Sequence, residues 1–382
     1  MARVLVIEPR QRLGRFLGER LRAAPGVTDC TVAADAPPDP AAGAFDVAVV
    51  HPRPQRRRRA VPDLTHARDV LRRLAAAPVR RVVLLASTAV YAPHCHNQGL
   101  MTEAHWSRRH RLNRVARRWA ELEELAREVC AASPGVSLAI LRLAPLPVRE
   151  GDGPLAGLFQ AFVTAVVPGY DPSIQLLSPD DLADAVACAV RSDATGTYNV
   201  APAGVIPLRQ ALRLAGVRRV SVPATVQRPV RAVLAPLGLA HPGDQTDYLC
   251  YTWTVSAAAG RDLGYAARRS SAEAVADGRA MDGLPPPRRW PQFAGRRFDD
   301  YGFDPAYYAR IDRTVARFLE HYYWRVEVRG LEHLPAEGPA VLAGVHRGFM
   351  PFDGLIFSHQ VARTTGRAPR FLVHPGLVKF PG

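Results

Sequence analysis

The stretch ARVLVIEPRQRLGRFLGERLRAA, residues 2–24, decides the fold. Arg3 to Ile7 is a near-continuous apolar run, the pattern of a strand buried on both faces. Leu13, Phe16, Leu17 and Leu21 then recur at helical spacing. A buried strand feeding a helix begins a βαβ unit, and the chain repeats the alternation. DCTVAAD (29–35), FDVAVVHP (45–52), VRRVVLLAST (79–88) and SLAILRLAP (137–145) read as further strands. DLTHARDVLRRLAAA (63–77) and RVARRWAELEELAREVCAA (114–132) read as helices. The expected fold class is α/β: a Rossmann-like doubly wound parallel sheet with a small substrate-side subdomain.

Beyond residue 150 the order loosens. SPDDLADAVACAV (178–190) predicts a helix capped by Ser178 or Asp180, GTYNVAP (196–202) a short strand, and PLRQALRLAG (207–216) a helix closed by Gly216. The Pro- and Arg-rich run MDGLPPPRRWPQFAGRR (281–297) has the composition of a linker. The expected domains are therefore residues 1–275, a linker over 276–300, and a second domain over 301–382. Two domains also suit a chain of 382 residues.

The net charge is +15, yet 49 of the 50 basic residues are Arg, and the single Lys is Lys379. With 34 Pro, this reads as coding bias of a GC-rich genome, with the basic surface a secondary aid to binding anionic lipid or cofactor phosphates. No nucleic-acid partner is expected. Cys30, Cys95, Cys130, Cys188 and Cys250 form no C-x-x-C pair and no credible zinc spacing, so no metal site is expected. A dispersed, odd set of cysteines fits a reducing cytoplasm. The opening apolar run breaks at Glu8–Pro9, unlike a signal peptide, and no window of apolar residues is long enough to span a membrane.

Several marks in order resemble the extended short-chain dehydrogenase/reductase family, which includes NAD-dependent sugar-nucleotide epimerases and dehydratases. They are the opening strand–turn–helix, VVLLASTAVYAP (82–93), MTE (101–103), AILRLAP (139–145), SPDDLADAVACAV and GTYNVA. The resemblance covers residues 1–273 and implies NAD or NADP as cofactor. The departures carry the functional reading. Glu8 and Gln11 hold the two phosphate-proximal glycine positions of the fingerprint turn, and only Gly14 remains. Glu8 adds negative charge where pyrophosphate would sit, and Pro9 removes a donor. Arg10 and Arg12 are candidates to grip phosphate instead. Asp35 stands either as a ribose-binding acid or as a strand-end turn residue.

The resemblance also implies a Ser, Tyr, Lys catalytic set. Ser87 matches the Ser. The Tyr and Lys places fall on Asn113 and Arg117, and the sole Lys is at 379. Arg supplies the charge of Lys but nothing replaces the Tyr hydroxyl, so hydride chemistry is expected to be lost. That leaves a non-catalytic or nucleotide-sensing domain, with an active reductase or epimerase of unusual turn chemistry as the rival.

The run VEVRGLEHLPAEGPAVLAGVHRGFMPFDG (326–354) resembles the entry to the glycerophospholipid acyltransferase family, which includes lysophosphatidic acid acyltransferases. The resemblance implies a truncated α/β acyltransferase domain, with His346 as general base and Asp353 as its orienting partner. Acyl-CoA or acyl carrier protein would be the donor and a lysophospholipid or glycerol-type hydroxyl the acceptor. The family spaces His and Asp by four residues; here six intervene and Pro351 holds the usual Asp place. Either the extra residues loop so that Asp353 still reaches His346, or the pair is broken. His359 and His374 read as surface or packing residues. The aromatic stretch PAYYARIDRTVARFLEHYYW (305–324) reads as an amphipathic helix that either packs inside its domain or rests at the inner face of the membrane. Ending at Gly382, the domain lacks its later blocks, so the sequence is expected to be part of a longer protein.

Overall fold

The computed structural model describes residues 2–34, 45–55, 58–105, 113–151, 153–155, 157–222, 246–285, 298–345 and 352–372. The chain forms two compact units, Met1–Phe303 and Asp304–Gly382.

The first unit is built on a six-stranded sheet: β1 (Ala2–Ile7), β2 (Val27–Ala33), β3 (Val47–Val50), β4 (Arg81–Ser87), β5 (Ser137–Leu143) and β6 (Gly196–Val200). All neighbours run parallel, in the order β2-β1-β3-β4-β5-β6. The apolar runs of β1, β3 and β4 are buried almost throughout, as strands covered on both faces must be. Helices α1 (Gln11–Arg22) and α4 (Pro179–Arg191) pack on one face, and α2 (Leu64–Ala76) and α3 (Arg114–Ala131) on the other. Asp63, Asn113 and Ser178 cap α2, α3 and α4 through side-chain acceptors.

The usual dinucleotide-binding order is 3-2-1-4-5-6, with a strand outside β2. Here only residues 34–46 separate β2 from β3, on opposite sides of β1. Among the described residues β2 is the sheet edge, and the order reverses direction at β1/β3.

The substrate-side subdomain is small. Val163–Val166 pairs with Arg218–Ser221, and Ser173–Ile174 with Ile206–Pro207, beside α5 (Leu208–Leu214). The expected linker over 276–300 starts too early. Residues 271–281 form α6, closed by a capping box between Ser270 and Glu273. A Cβ on Gly278 would come within 2.3 Å of the Pro147 carbonyl oxygen, so α6 lies tight on the loop after β5. Phe298–Phe303 also belongs to the first unit: Val205 donates to the Asp299 carbonyl at 3.1 Å.

In the second unit, α7 (Pro305–Ile311) continues through π-type turns to Tyr323, and α8 spans Phe352–Thr365. The apolar run 339–345 is not a strand; Val341 and Val345 lie exposed. No described strand of this unit offers it a partner, and a lone strand leaves its backbone groups unpaired. Among the described residues no helix is long and apolar enough to cross a membrane.

Candidate functional site

In open parallel sheets, ligands bind beyond the carboxyl ends of the strands where the strand order reverses. That crevice lies between the ends of β1 and β3. Glu8 follows β1 and His51 follows β3; both are buried, and the backbone N–H of His51 donates to the Ile7 carbonyl at 2.9 Å. The Glu8 carboxylate bridges the crevice. One oxygen bonds His51 Nδ1; the other accepts the backbone N–H of Arg10 at 3.0 Å and its guanidinium at 2.8 Å. Burial alone pushes the Glu8 carboxyl up, but the charges and hydrogen bonds of His51 and Arg10 together hold it below its ordinary value.

Arg10, a candidate phosphate grip, instead turns inward onto Glu8 and is 6% exposed. The reason is local: a buried carboxylate two residues away is a stronger partner than solvent. Arg12 keeps an exposed side chain, but its backbone N–H donates to Glu150 at 3.2 Å. The first turn of α1 is thus approached by two of the protein's own carboxylates, the position an anion would take at a helix N-terminus. Gly14 packs against Glu8 and Val32, where a Cβ would sit 3.2 Å from each. Gly18 allows a closer approach still: a Cβ there would meet Val32 at 2.6 Å.

The residues present do not fit a dinucleotide pyrophosphate. A phosphate at the end of β1 would have to displace Glu8 from Arg10 and His51, and Glu150 from Arg12. Asp35 lies outside the described residues, and so does His346.

The reductase end of the crevice is also filled. Ser87 ends β4, where its hydroxyl accepts the Ala89 N–H at 3.2 Å and caps the short turn Thr88–Tyr91. Asn113, at the Tyr place, accepts the Ala116 N–H at 2.9 Å as the cap of α3. Arg117, at the Lys place, is exposed. A tyrosine does reach this corner from elsewhere. Tyr248, fully buried, donates to the Ala89 carbonyl at 3.0 Å and lies 3.3 Å from Asn113 Oδ1. Burial pushes its hydroxyl well above the ordinary value. Its ring meets Trp253 edge-on, and between Thr88, Ala144, Pro145, Gln175 and Trp253 a cavity of only about 10 Å³ remains.

Behind this corner lies a second buried network. Arg142 on β5 makes a two-point bond with Glu123 on α3, 2.8 Å in each contact, and donates to the Tyr91 hydroxyl at 2.8 Å. Tyr91 donates to Asn199 on β6 at 2.7 Å. Burial would lower the Arg142 pKa, but Glu123 and Tyr91 outweigh it and hold it above the ordinary value. Sequence reasoning missed His51, Glu150 and Tyr248, whose roles depend on contacts between distant segments. The one available signal was a polar residue directly after a buried strand, as His51 is.

In the second unit Asp353 sits exposed in the first turn of α8, its carboxylate accepting the Gly354 N–H at 2.8 Å. Its relation to His346 is outside the described residues. His359, expected at the surface or in packing, is buried between Asp312 and Glu320.

No family model matches the chain. Two uncharacterized proteins of Mycobacterium tuberculosis do. Rv0502 is 43% identical over 63 residues, 16% of this chain and 18% of its own length. Rv0501 is 29% identical over 232 residues, 58% of this chain and 60% of its own length. The matches span less than a fifth of the first of these relatives and about three fifths of the second. Among solved structures, MoeE5 in complex with UDP-glucuronic acid and NAD is similar with a TM-score of 0.52 at 15% identity, over 74% of this chain and 99% of that one. A UDP-glucose 4-epimerase from Thermotoga maritima is similar with a TM-score of 0.53 at 10% identity, over 74% and 98%. At such identities these likenesses establish a shared Rossmann-like fold.

Proposed function

We propose that the first unit is a non-catalytic relative of NAD-dependent epimerases and dehydratases: a regulatory or scaffold module that runs no hydride transfer. The observation that carries this is the Glu8 carboxylate held by Arg10 and His51 at the switch-point crevice. It places a buried negative charge where the diphosphate of a dinucleotide would need backbone donors. The absent Tyr–Lys pair and the filled corner around Tyr248 support the same reading. NAD stands in the similar MoeE5 structure; in this chain its binding would be weak.

The test is a turnover assay on the full chain with NAD and UDP-glucose, the class of substrate its structural neighbours hold. The expected result is no NADH signal and no epimerised product above the protein-free control. Sustained turnover would overturn the reading and restore the rival, an active oxidoreductase or epimerase.

A second activity is proposed for the whole protein: transfer of an acyl group from acyl-CoA or acyl carrier protein to a lysophospholipid or glycerol hydroxyl. It rests on the order of residues in Val326–Gly354, with His346 as general base and Asp353 as its partner. In the whole protein His346→Ala is expected to abolish acyl transfer without altering the far-ultraviolet circular dichroism. Retained activity removes His346 from the site.

A further inference from the structure

The loop after the Thr88–Tyr91 turn carries three potential metal ligands in a row, His94, Cys95 and His96. One donor atom from each lies within 4.8 Å of the other two. Tetrahedral zinc, with bonds of about 2.0–2.3 Å, separates its ligand atoms by roughly 3.3–3.8 Å. Cys95 Sγ and His94 Nδ1 already stand 3.8 Å apart. Nδ1 of His94 now accepts the His96 N–H at 3.2 Å, and that lone pair is the one a metal would take.

The loop is braced for this. The Asn97 N–H closes a turn onto the His94 carbonyl at 3.1 Å. The Asn97 side-chain amide donates to the Ala92 carbonyl at 2.9 Å and reaches the Thr252 carbonyl at 3.3 Å. Ala92 is held at φ 50, a left-handed conformation that costs an alanine on the order of 1 kcal/mol and persists only where surroundings fix it. Backbone anchoring on both sides of the tripeptide fixes where its side chains start, as a preorganised ligand set requires. The Tyr251 ring stands 6.5 Å from that of His94.

We infer that His94, Cys95 and His96 form a binding site for one zinc ion, with three protein ligands and an open fourth position. Imidazole and thiolate together select zinc over magnesium or calcium, which take oxygen ligands. Binding converts the Cys95 thiol to a thiolate, and its proton passes to solvent. The loop follows the Thr88–Tyr91 turn at the carboxyl end of β4. The site is independent of whether the first unit turns over NAD.

The experiment is a titration of the full chain, first stripped with a chelator, with cobalt(II) as a visible probe and zinc as competitor. One equivalent is expected to bind, with a sulfur-to-cobalt charge-transfer band that zinc abolishes. Cys95→Ser is expected to remove that band, and His94→Ala and His96→Ala each to weaken binding at least about tenfold. Cys188→Ser, outside the cluster, is expected to change nothing. Cys95 and His96 are exposed, so their replacement leaves the fold intact, checked by an unchanged thermal midpoint. Absence of stoichiometric binding overturns the inference. So does binding with the charge-transfer band intact in Cys95→Ser, which would place the metal elsewhere.

Discussion

Glu8 carries a carboxylate into a place with no solvent, and its partners determine both stability and chemistry. Removing one member of a buried hydrogen-bonded charge cluster strands the others. Glu8→Ala is therefore expected to destabilise the first unit by about 3–5 kcal/mol, read as a lower urea midpoint. The pH dependence follows from the direction of its shift. A carboxyl held below its ordinary value of 4.5 contributes stability above that pH and loses it as pH falls through the folded-state value. The gap between wild type and Glu8→Ala is thus expected to be full at neutral pH and to shrink in acid. A gap that does not change with pH would mean that the ionised carboxylate is not its source. At this scale the sequence was informative but incomplete. Glu8 and Gln11 in glycine positions declared the loss of the phosphate turn. The Glu8–His51 contact did not show, because it joins residues 43 apart in sequence across β1 and β3. Nor did Tyr248, which crosses from a remote segment to the corner left by the missing Tyr.

Among the elements, α3, β5 and β6 are joined by the Glu123–Arg142–Tyr91–Asn199 network. Arg142→Leu leaves Glu123 buried with, among the described residues, the half-exposed Arg127 as its remaining ionic partner, and is expected to cost about 3–5 kcal/mol. Tyr91→Phe removes hydrogen bonds alone and is expected to cost about 1–3 kcal/mol; an equal loss in both variants would contradict the ranking. Gly278→Ala tests the seat of α6. Its Cβ would press on backbone at Pro147, so a loss of about 1–3 kcal/mol is expected despite alanine's better helix propensity. An unchanged or higher midpoint would show that α6 can lift without penalty. The strands and helices of the sheet were legible because periodicity reports burial directly. The segment 276–281 was not, since a Pro-rich neighbour masked a short helix whose capping box is local. The run 339–345 has an apolar pattern that suits a strand, but the described residues of its unit supply no neighbour to pair with.

For the molecule as a whole, the division after Phe303 gives the first unit its own core, from Val4 on β1 to Val275 on α6. A chain ending at Phe303 is accordingly expected to unfold cooperatively with a midpoint close to that of the same transition in the full chain. Loss of cooperativity would mean that the first unit depends on residues beyond it. The shortened passage from β2 to β3 acts at this scale too. It leaves β2 as the described edge, on the side where the usual order places another strand, while Glu8 and Glu150 occupy the anion position at α1. The measurement that tests the account most directly is a calorimetric titration of the full chain with NAD. The account predicts no saturable binding up to about 1 mM, a free energy weaker than roughly −4 kcal/mol. A one-site isotherm saturating in the micromolar range would contradict it, because the cofactor would then have displaced Glu8 from Arg10 and His51.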